Sequence, residues 1–310
     1  MIVKIENLVK RYGDLIALDH LNLEVNEGEI FGLLGPNGSG KTTAINCLLS
    51  LLKYDKGDIQ IFGKDMSPSA YDIKKDIGII FQNVAVFEEL TVYQNIDYFC
   101  GLYIKNSDER KKLVQEAIDF VALNDFKKFY PKKLSGGLLR RLNIACGISH
   151  KPKLIILDEP TVAVDPQSRN NILEGIKKLN ENGATIIYTS HYMEEIEQLC
   201  TRIAIIDSGK MIALGTKEEL KAMISQGEKI VIEAFNLSEK HLDELDSLPN
   251  VTNIEYDDNI LTISTKSGNS NLTKIISYIN DNKISYGKIY SELPTLNDVF
   301  LEITGKALRD

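Results

Sequence analysis

The sequence has no paired cysteines. Cys47, Cys100, Cys146 and Cys200 stand far apart and show no C-x-x-C spacing. That excludes a disulfide framework and a sequence-local metal site, and leaves four small reduced core residues. Long apolar runs are missing as well: none approaches the roughly 18 residues a spanning helix needs. No signal peptide precedes Ile2-Val3-Lys4-Ile5, which alternates like a strand. The expectation is a cytoplasmic protein whose membrane span, where it needs one, comes from a partner. Excess basic charge is also lacking. Asp and Glu number 44 against 36 Lys and Arg, for a net charge of -8 and a pI near 5.2. That balance argues against a phosphate-neutralising surface, so no nucleic-acid partner is expected. Internal repeats and low-complexity tracts are absent.

What remains is an ordinary globular composition, 43% hydrophobic and 26% charged over 310 residues. That length suits two domains of about 150 residues each. One stretch organises the rest: Gly35, Pro36, Asn37, Gly38, Ser39, Gly40, Lys41, Thr42 and Thr43. It fits G-x-x-x-x-G-K-[ST], the phosphate-binding P-loop. An apolar run, Ile30 to Leu34, precedes it as a buried strand, and Thr43 to Leu49 follows as a helix. Glycines let the backbone approach an anion closely. The turn aims N–H groups inward, and the helix start adds roughly half a positive charge. Lys41 would reach the β and γ phosphates, and the Thr42 hydroxyl would ligate Mg²⁺.

Taken in order, residues 2–6 and Leu18, Leu21, Leu23 and Val25 read as a small β region, with Tyr12-Gly13 in the turn between strands. Residues 57–62 and 77–81 read as further strands, the second ending at Gln82. From about 85 to 150 the pattern turns helical; Val92, Ile96, Phe99 and Tyr103 recur at helical spacing, as core residues do. Leu134-Ser135-Gly136-Gly137-Leu138 interrupts it before a helical run from Arg140 to His150. Strands at 154–158, 184–189, 203–206 and 211–214 then alternate with helices, one at 168–181. Near-continuous apolar strands separated by helices indicate a parallel sheet covered on both faces. A boundary falls near Ser225-Gln226-Gly227, and the order beyond it is βαββαβ, that of a ferredoxin-like unit, with a short helix at 295–303.

Leu154 to Asp158 is a buried strand ending in a carboxylate. Near a P-loop such an Asp can hold Mg²⁺ through its waters. Glu159 would face the γ-phosphate and take a proton from the attacking water.

Five motifs, the P-loop, Gln82, the Leu134–Gly137 stretch, Asp158-Glu159 and His191, stand in one order along the chain. In that order and spacing, residues 1–220 resemble an ATP-binding-cassette (ABC) ATPase. The resemblance implies an α/β P-loop NTPase domain over 1–225, with an antiparallel β subdomain and a helical subdomain. A small α+β domain of ferredoxin-like order follows over 226–310. It implies that Tyr12 stacks on adenine, and that Gln82 contacts Mg²⁺ and the attacking water while its loop touches a membrane partner. Ser135, Gly136 and Gly137 would bind the γ-phosphate held by a second subunit. Asp165 would lie in the loop that crosses the dimer interface, and His191 would contact the γ-phosphate. ATP and Mg²⁺ follow as ligands and a homodimer as the working state. Two departures stand out: Leu138 where the family has Gln, and Val162-Ala163-Val164 before Asp165.

The tail, Leu296 to Gly305, resembles that of bacterial ATPases serving ABC-2-type permeases, as does Ser190-His191-Tyr192-Met193-Glu194-Glu195. This implies an export subunit, handling a drug, antibiotic, ion or polymer, peripheral on the inner face of the membrane. The alternative is a soluble ABC ATPase outside transport, as an assembly scaffold or on ribosomes or chromosomes.

Overall fold

In the computed structural model, residues 1–310 are described except 163, 225, 267–270 and 306–310. Ala163 and Ser225, which the sequence singled out, lie outside the described residues. The chain divides into two units, one built on Met1–Gly215 and one beginning at Thr216.

The first unit opens with β1 (Val3–Tyr12), β2 (Leu15–Val25), β3 (Ile30–Leu34) and α1 (Lys41–Leu48). Then come β4 (Lys56–Ile61), β5 (Lys64–Asp65), α2 (Tyr71–Lys74) and β6 (Ile77–Ile80). The helical subdomain follows as α3 (Val92–Gly101), α4 (Ser107–Phe120) and α5 (Gly136–Ile148). The alternation resumes with β7 (Leu154–Asp158), α6 (Pro166–Glu181), β8 (Thr185–Ser190) and α7 (Met193–Leu199). An edge hairpin, β9 (Arg202–Asp207) and β10 (Lys210–Gly215), closes the unit. Its turn residues Ser208 and Gly209 have φ of 50° and 77°, the left-handed pair a tight hairpin needs.

Two sheets result. The antiparallel one runs β2-β1-β4-β5, and the larger runs β10-β9-β3-β8-β7-β6 with its inner strands parallel. All five residues of β3 and of β7 are buried, as are all six of β8. This is why those runs are apolar throughout instead of alternating. Parallel register puts the carboxyl ends of β3, β8, β7 and β6 on one edge: Leu34 pairs with Ser190, Asp158 with Thr189, and Ile80 with Leu157. Ligands of open α/β sheets bind at that edge. A shared core of Val3, Leu8, Leu21, Phe31, Ile45 and Leu154 joins both sheets to α1.

The sequence put Tyr12 in a turn; it is the last residue of β1 and pairs with Leu15. The sheet extends the strand because the hairpin needs only Gly13 and Asp14. Helix α5 starts at Gly136, four residues ahead of the expected run, because Ser135 caps it by accepting from Leu138 N at 3.4 Å. Helix α6 starts at Pro166 for the same reason, with Asp165 accepting from Ser168 N at 2.9 Å.

The second unit holds α8 (Lys217–Ala222), β11 (Gln226–Phe235), α9 (Glu239–Asp246), β12 (Val251–Asp257), β13 (Ile260–Lys266), α10 (Leu272–Asp281), β14 (Ser285–Glu292) and α11 (Leu296–Thr304). Gln226 and Gly227 thus open a strand. The sheet order β12-β13-β11-β14, all antiparallel, is the ferredoxin-like arrangement. Ile230, Ile232, Leu261 and Ile263 pack with Leu245 of α9 and Ile275 and Ile279 of α10. Helices α8 and α11, which bury Leu220, Val299 and Phe300, pack on each other. The sequence did not separate α8 from the first unit.

Candidate functional site

The P-loop lies between β3 and α1. Gly40 has φ +108°, and a Cβ there would stand 2.8 Å from Ala17 O. Glycine is required by both backbone and space. The edge hairpin braces the loop from outside: Gly209 N donates to Ser39 O at 2.9 Å, and Asp19 N donates to Gly209 O at 3.0 Å. Lys41 is 5% exposed. Its Nζ donates to Gly35 O at 2.8 Å and Pro36 O at 3.2 Å, and lies 3.5 Å from Glu159 Oε1. Burial pulls its pKa below the ordinary 10.5, while the Glu159 and Asp158 carboxylates oppose the drop.

Asp158 is buried at the end of β7. Thr42 Oγ1 donates to its Oδ2 at 3.0 Å, and Thr189 Oγ1 to its Oδ1 at 2.6 Å. Thr42 and Asp158 therefore present hard oxygen donors side by side, next to the phosphate loop, which suits Mg²⁺. Among the described residues no three His, Cys, Asp or Glu cluster as a free-standing metal site. An ion here would complete its shell with phosphate oxygens and water.

Glu159 is 6% exposed and has φ +47°. A left-handed non-glycine residue persists only where its surroundings over-determine it. Here Glu159 N is held by Thr189 O at 3.2 Å and Thr189 Oγ1 at 3.0 Å. From the other side Arg140 NH2 donates to Glu159 O at 2.7 Å. Gln82 Nε2 donates to Glu159 Oε2 at 3.3 Å. His191 Nδ1 lies 3.3 Å from the same oxygen, off hydrogen-bond alignment. One carboxylate thus stands among an ammonium, an amide and an imidazole, beside the phosphate loop.

A second cluster gathers elsewhere. Ser135 and Gly136 are exposed at the start of α5. A Cβ on Gly137 would lie 2.5 Å from Ser168 Oγ and 3.3 Å from Asp165 Oδ2. So Asp165 neighbours this loop, with its carboxyl held below the ordinary value by the Ser168 amide. Among the described residues no hydrogen bond or ion pair joins 135–137 or Asp165 to residues 35–43. Tyr12 stands apart too, half exposed, with the Lys10 ammonium 5.0 Å from its ring centroid.

The motifs missed two residues that fix the site. Arg140, 3% exposed, spreads its guanidinium over four carbonyls: Phe81 O and Gln82 O at 2.9 Å each, Glu159 O at 2.7 Å and Pro160 O at 2.5 Å. Asn95 Nδ2 donates to Phe87 O, Leu90 O and Thr91 O and its Oδ1 accepts from Phe87 N, pinning the loop after Gln82. The available signal was a polar residue on a buried helical face, as Asn95 stands beside Val92 and Ile96. A cavity of about 520 Å³ lined by Phe120, Pro152, Leu179 and Ala184 lies at the opposite strand ends and holds none of these groups.

Comparison with known proteins accords with this geometry. The ABC transporter family model matches residues 18–162, and a model described as "ATP-binding protein DrrA1-3-like, C-terminal domain" matches 215–304. The linearmycin resistance ATP-binding protein LnrL of Bacillus subtilis (strain 168) is 38% identical over 307 residues, covering 98% of this chain and 99% of that protein. The daunorubicin resistance ATP-binding protein DrrA3 of Streptomyces coeruleorubidus is 34% identical over 306 residues, covering 98% and 96%. Among solved structures, the dimeric post-hydrolysis state of the cassette MJ0796 bound to ADP and Pi aligns with TM-score 0.63 at 28% identity, covering 69% of this chain and 98% of that one.

Proposed function

The chain belongs to the ABC transporter family as an ATP-binding subunit, and from that membership we propose that it drives export through a separate ABC-2-type permease, as one half of a nucleotide-clamped dimer. Its activity is ATP hydrolysis. The relatives named above confer resistance to linearmycin and daunorubicin, which supports a drug- or antibiotic-like export substrate. Among the described residues no helix is long and apolar enough to cross a membrane, so the translocation path belongs to the permease. Docking at the inner membrane face is supported by large apolar and aromatic side chains around the loop after Gln82. Phe87, Tyr98, Leu102 and Tyr103 are exposed there, beside a groove of about 180 Å³.

The observation that carries the reading is the setting of Glu159. Lys41 and the P-loop amides from Gly35 to Thr43 would bind the phosphates. Thr42 and Asp158, joined by Gln82, would hold Mg²⁺, which when bound offsets phosphate charge. Glu159 would accept the proton of the attacking water, with Gln82 and His191 orienting it. Proton transfer of this kind contributes roughly 10²–10⁴ in rate. Ser135, Gly136, Gly137 and Asp165 would complete the pocket of the other copy from the start of α5, where an anion is favoured. Tyr12 would face the adenine. ATP then adds to both faces of the closed pair and favours closure; loss of the γ-phosphate releases it.

A mixing experiment tests the shared pocket. Lys41→Ala and Ser135→Arg should each abolish turnover alone, while an equimolar mixture should recover activity, because mixed dimers hold one intact composite site. No recovery on mixing would overturn the dimer. Export is tested by fractionation: the chain should pellet with membranes only when its permease is co-expressed.

A further inference from the structure

One buried carboxylate has no place in the mechanism above. Glu195, in the first turn of α7, is 3% exposed. Its Oε2 accepts from three hydroxyls: Tyr188 at 2.8 Å, Thr161 at 2.9 Å and Ser190 at 2.9 Å. Its Oε1 forms an ion pair with Arg169 Nε at 3.3 Å, off hydrogen-bond alignment, and neither atom has a hydrogen-bond partner. Burying a charge is costly unless it is paired and hydrogen-bonded, and this one is both.

The partners come from three segments that matter to the site. Thr161 lies in the turn between Glu159 and Asp165. Tyr188 and Ser190 end β8, directly before His191. Arg169 lies in the first turn of α6, where its N–H donates to Asp165 O at 2.9 Å. Two routes then lead from Glu195 to His191. Ser190 Oγ, which donates to Glu195, also accepts from Tyr192 N at 2.9 Å. The Arg169 guanidinium stacks on Tyr192 at 4.7 Å, and the Tyr192 ring lies 4.1 Å from that of His191.

We propose that Glu195 is a positioning residue: it fixes His191 against Glu159 and ties that placement to the turn carrying Asp165. This rests on the roles proposed above for His191 and Asp165. When a second copy presses on Asp165, the displacement reaches Thr161 and Arg169, both fastened to Glu195, and so reaches His191. A carboxylate is needed because Oε2 must accept from three hydroxyls while Oε1 keeps its charge opposite Arg169. In Glu195→Gln either the amide NH₂ confronts Arg169, or it turns toward hydroxyls already arranged to donate.

The test is a double-mutant cycle on the full chain, read as ATPase kinetics. Glu195→Gln should lower kcat by about 10- to 100-fold with KM for ATP changed less than about threefold, the range of coupling between contacting residues. In a His191→Ala background the same substitution should cost less than about threefold. Full multiplication of the two effects would overturn the proposal, as would an unchanged kcat in Glu195→Gln. If His191→Ala alone keeps wild-type turnover, the role given to His191 falls first and the positioning claim falls with it. Ser190→Ala and Thr161→Val each remove one hydroxyl and keep the charge. They repeat the cycle should Glu195→Gln fail to fold, with the same non-additivity expected of Ser190→Ala.

Discussion

Lys41 Nζ and Glu159 Oε1 lie 3.5 Å apart, with side chains 4% and 7% exposed. The cation that would grip phosphate and the carboxylate that would activate water compensate each other in a buried site. Removing one partner leaves the other's charge buried.

Glu159→Gln keeps shape and loses the base. Turnover should fall by roughly 10²–10⁴-fold, while ATP still binds and the ATP-bound dimer accumulates. Single-turnover kinetics and size-exclusion chromatography with ATP read both outcomes. Wild-type turnover would remove Glu159 from the role assigned to it.

Arg140→Lys keeps a charge but cannot serve four carbonyls at once, because an ammonium lacks the planar fork. The freed acceptors from Phe81 to Pro160 are buried or half-buried. We expect a loss of about 2–4 kcal/mol of stability and reduced kcat, measured by urea unfolding and ATPase assay. A stability change within error would show that the brace is dispensable.

Gly40→Ala should distort the P-loop and destabilise the chain by more than about 1 kcal/mol, since φ +108° and Ala17 O both oppose a Cβ. Differential scanning calorimetry with and without ATP checks it. Retained ATP-induced stabilisation would contradict the expectation.

His150 gives a pH signature. It is stacked on Tyr103 at 4.1 Å, and its Nε2 lies 3.2 Å from Ile77 O. Burial drives its pKa below the ordinary 6.5. The folded form therefore favours neutral imidazole, and the unfolded chain binds more protons near and below 6.5. The stability this contributes is present above the unfolded value and lost as pH falls through the folded one. Melting temperature should drop less between pH 7 and pH 5 in His150→Gln than in the wild type. Parallel curves would exclude His150 as a source of acid sensitivity.

The sequence makes some of this legible and hides the rest for physical reasons. Phosphate binding is local chemistry, so residues 35–43 announce themselves, as do Asp158 and Glu159 at the end of an apolar run. The order βαββαβ gives the second sheet, because each strand and helix there keeps its own period. Arg140 and Asn95 leave no motif: their partners are carbonyls up to 59 residues away, as between Arg140 and Phe81. Glu195 stands in the stretch Ser190 to Glu195, but nothing local tells that it is buried among the hydroxyls of Thr161, Tyr188 and Ser190. Ser135 and Asp165 are legible from the family resemblance, but their capping of α5 and α6 is not, because it depends on the extended backbone each adopts ahead of its helix.

The turn at Ser208-Gly209 sits outside every catalytic role, yet its amide and carbonyl hold Ser39 and Asp19. It is a doorstop behind the phosphate cradle. A fluorophore or epitope grafted there would report on, or jam, the nucleotide site from the sheet's rim, without altering one reactive side chain.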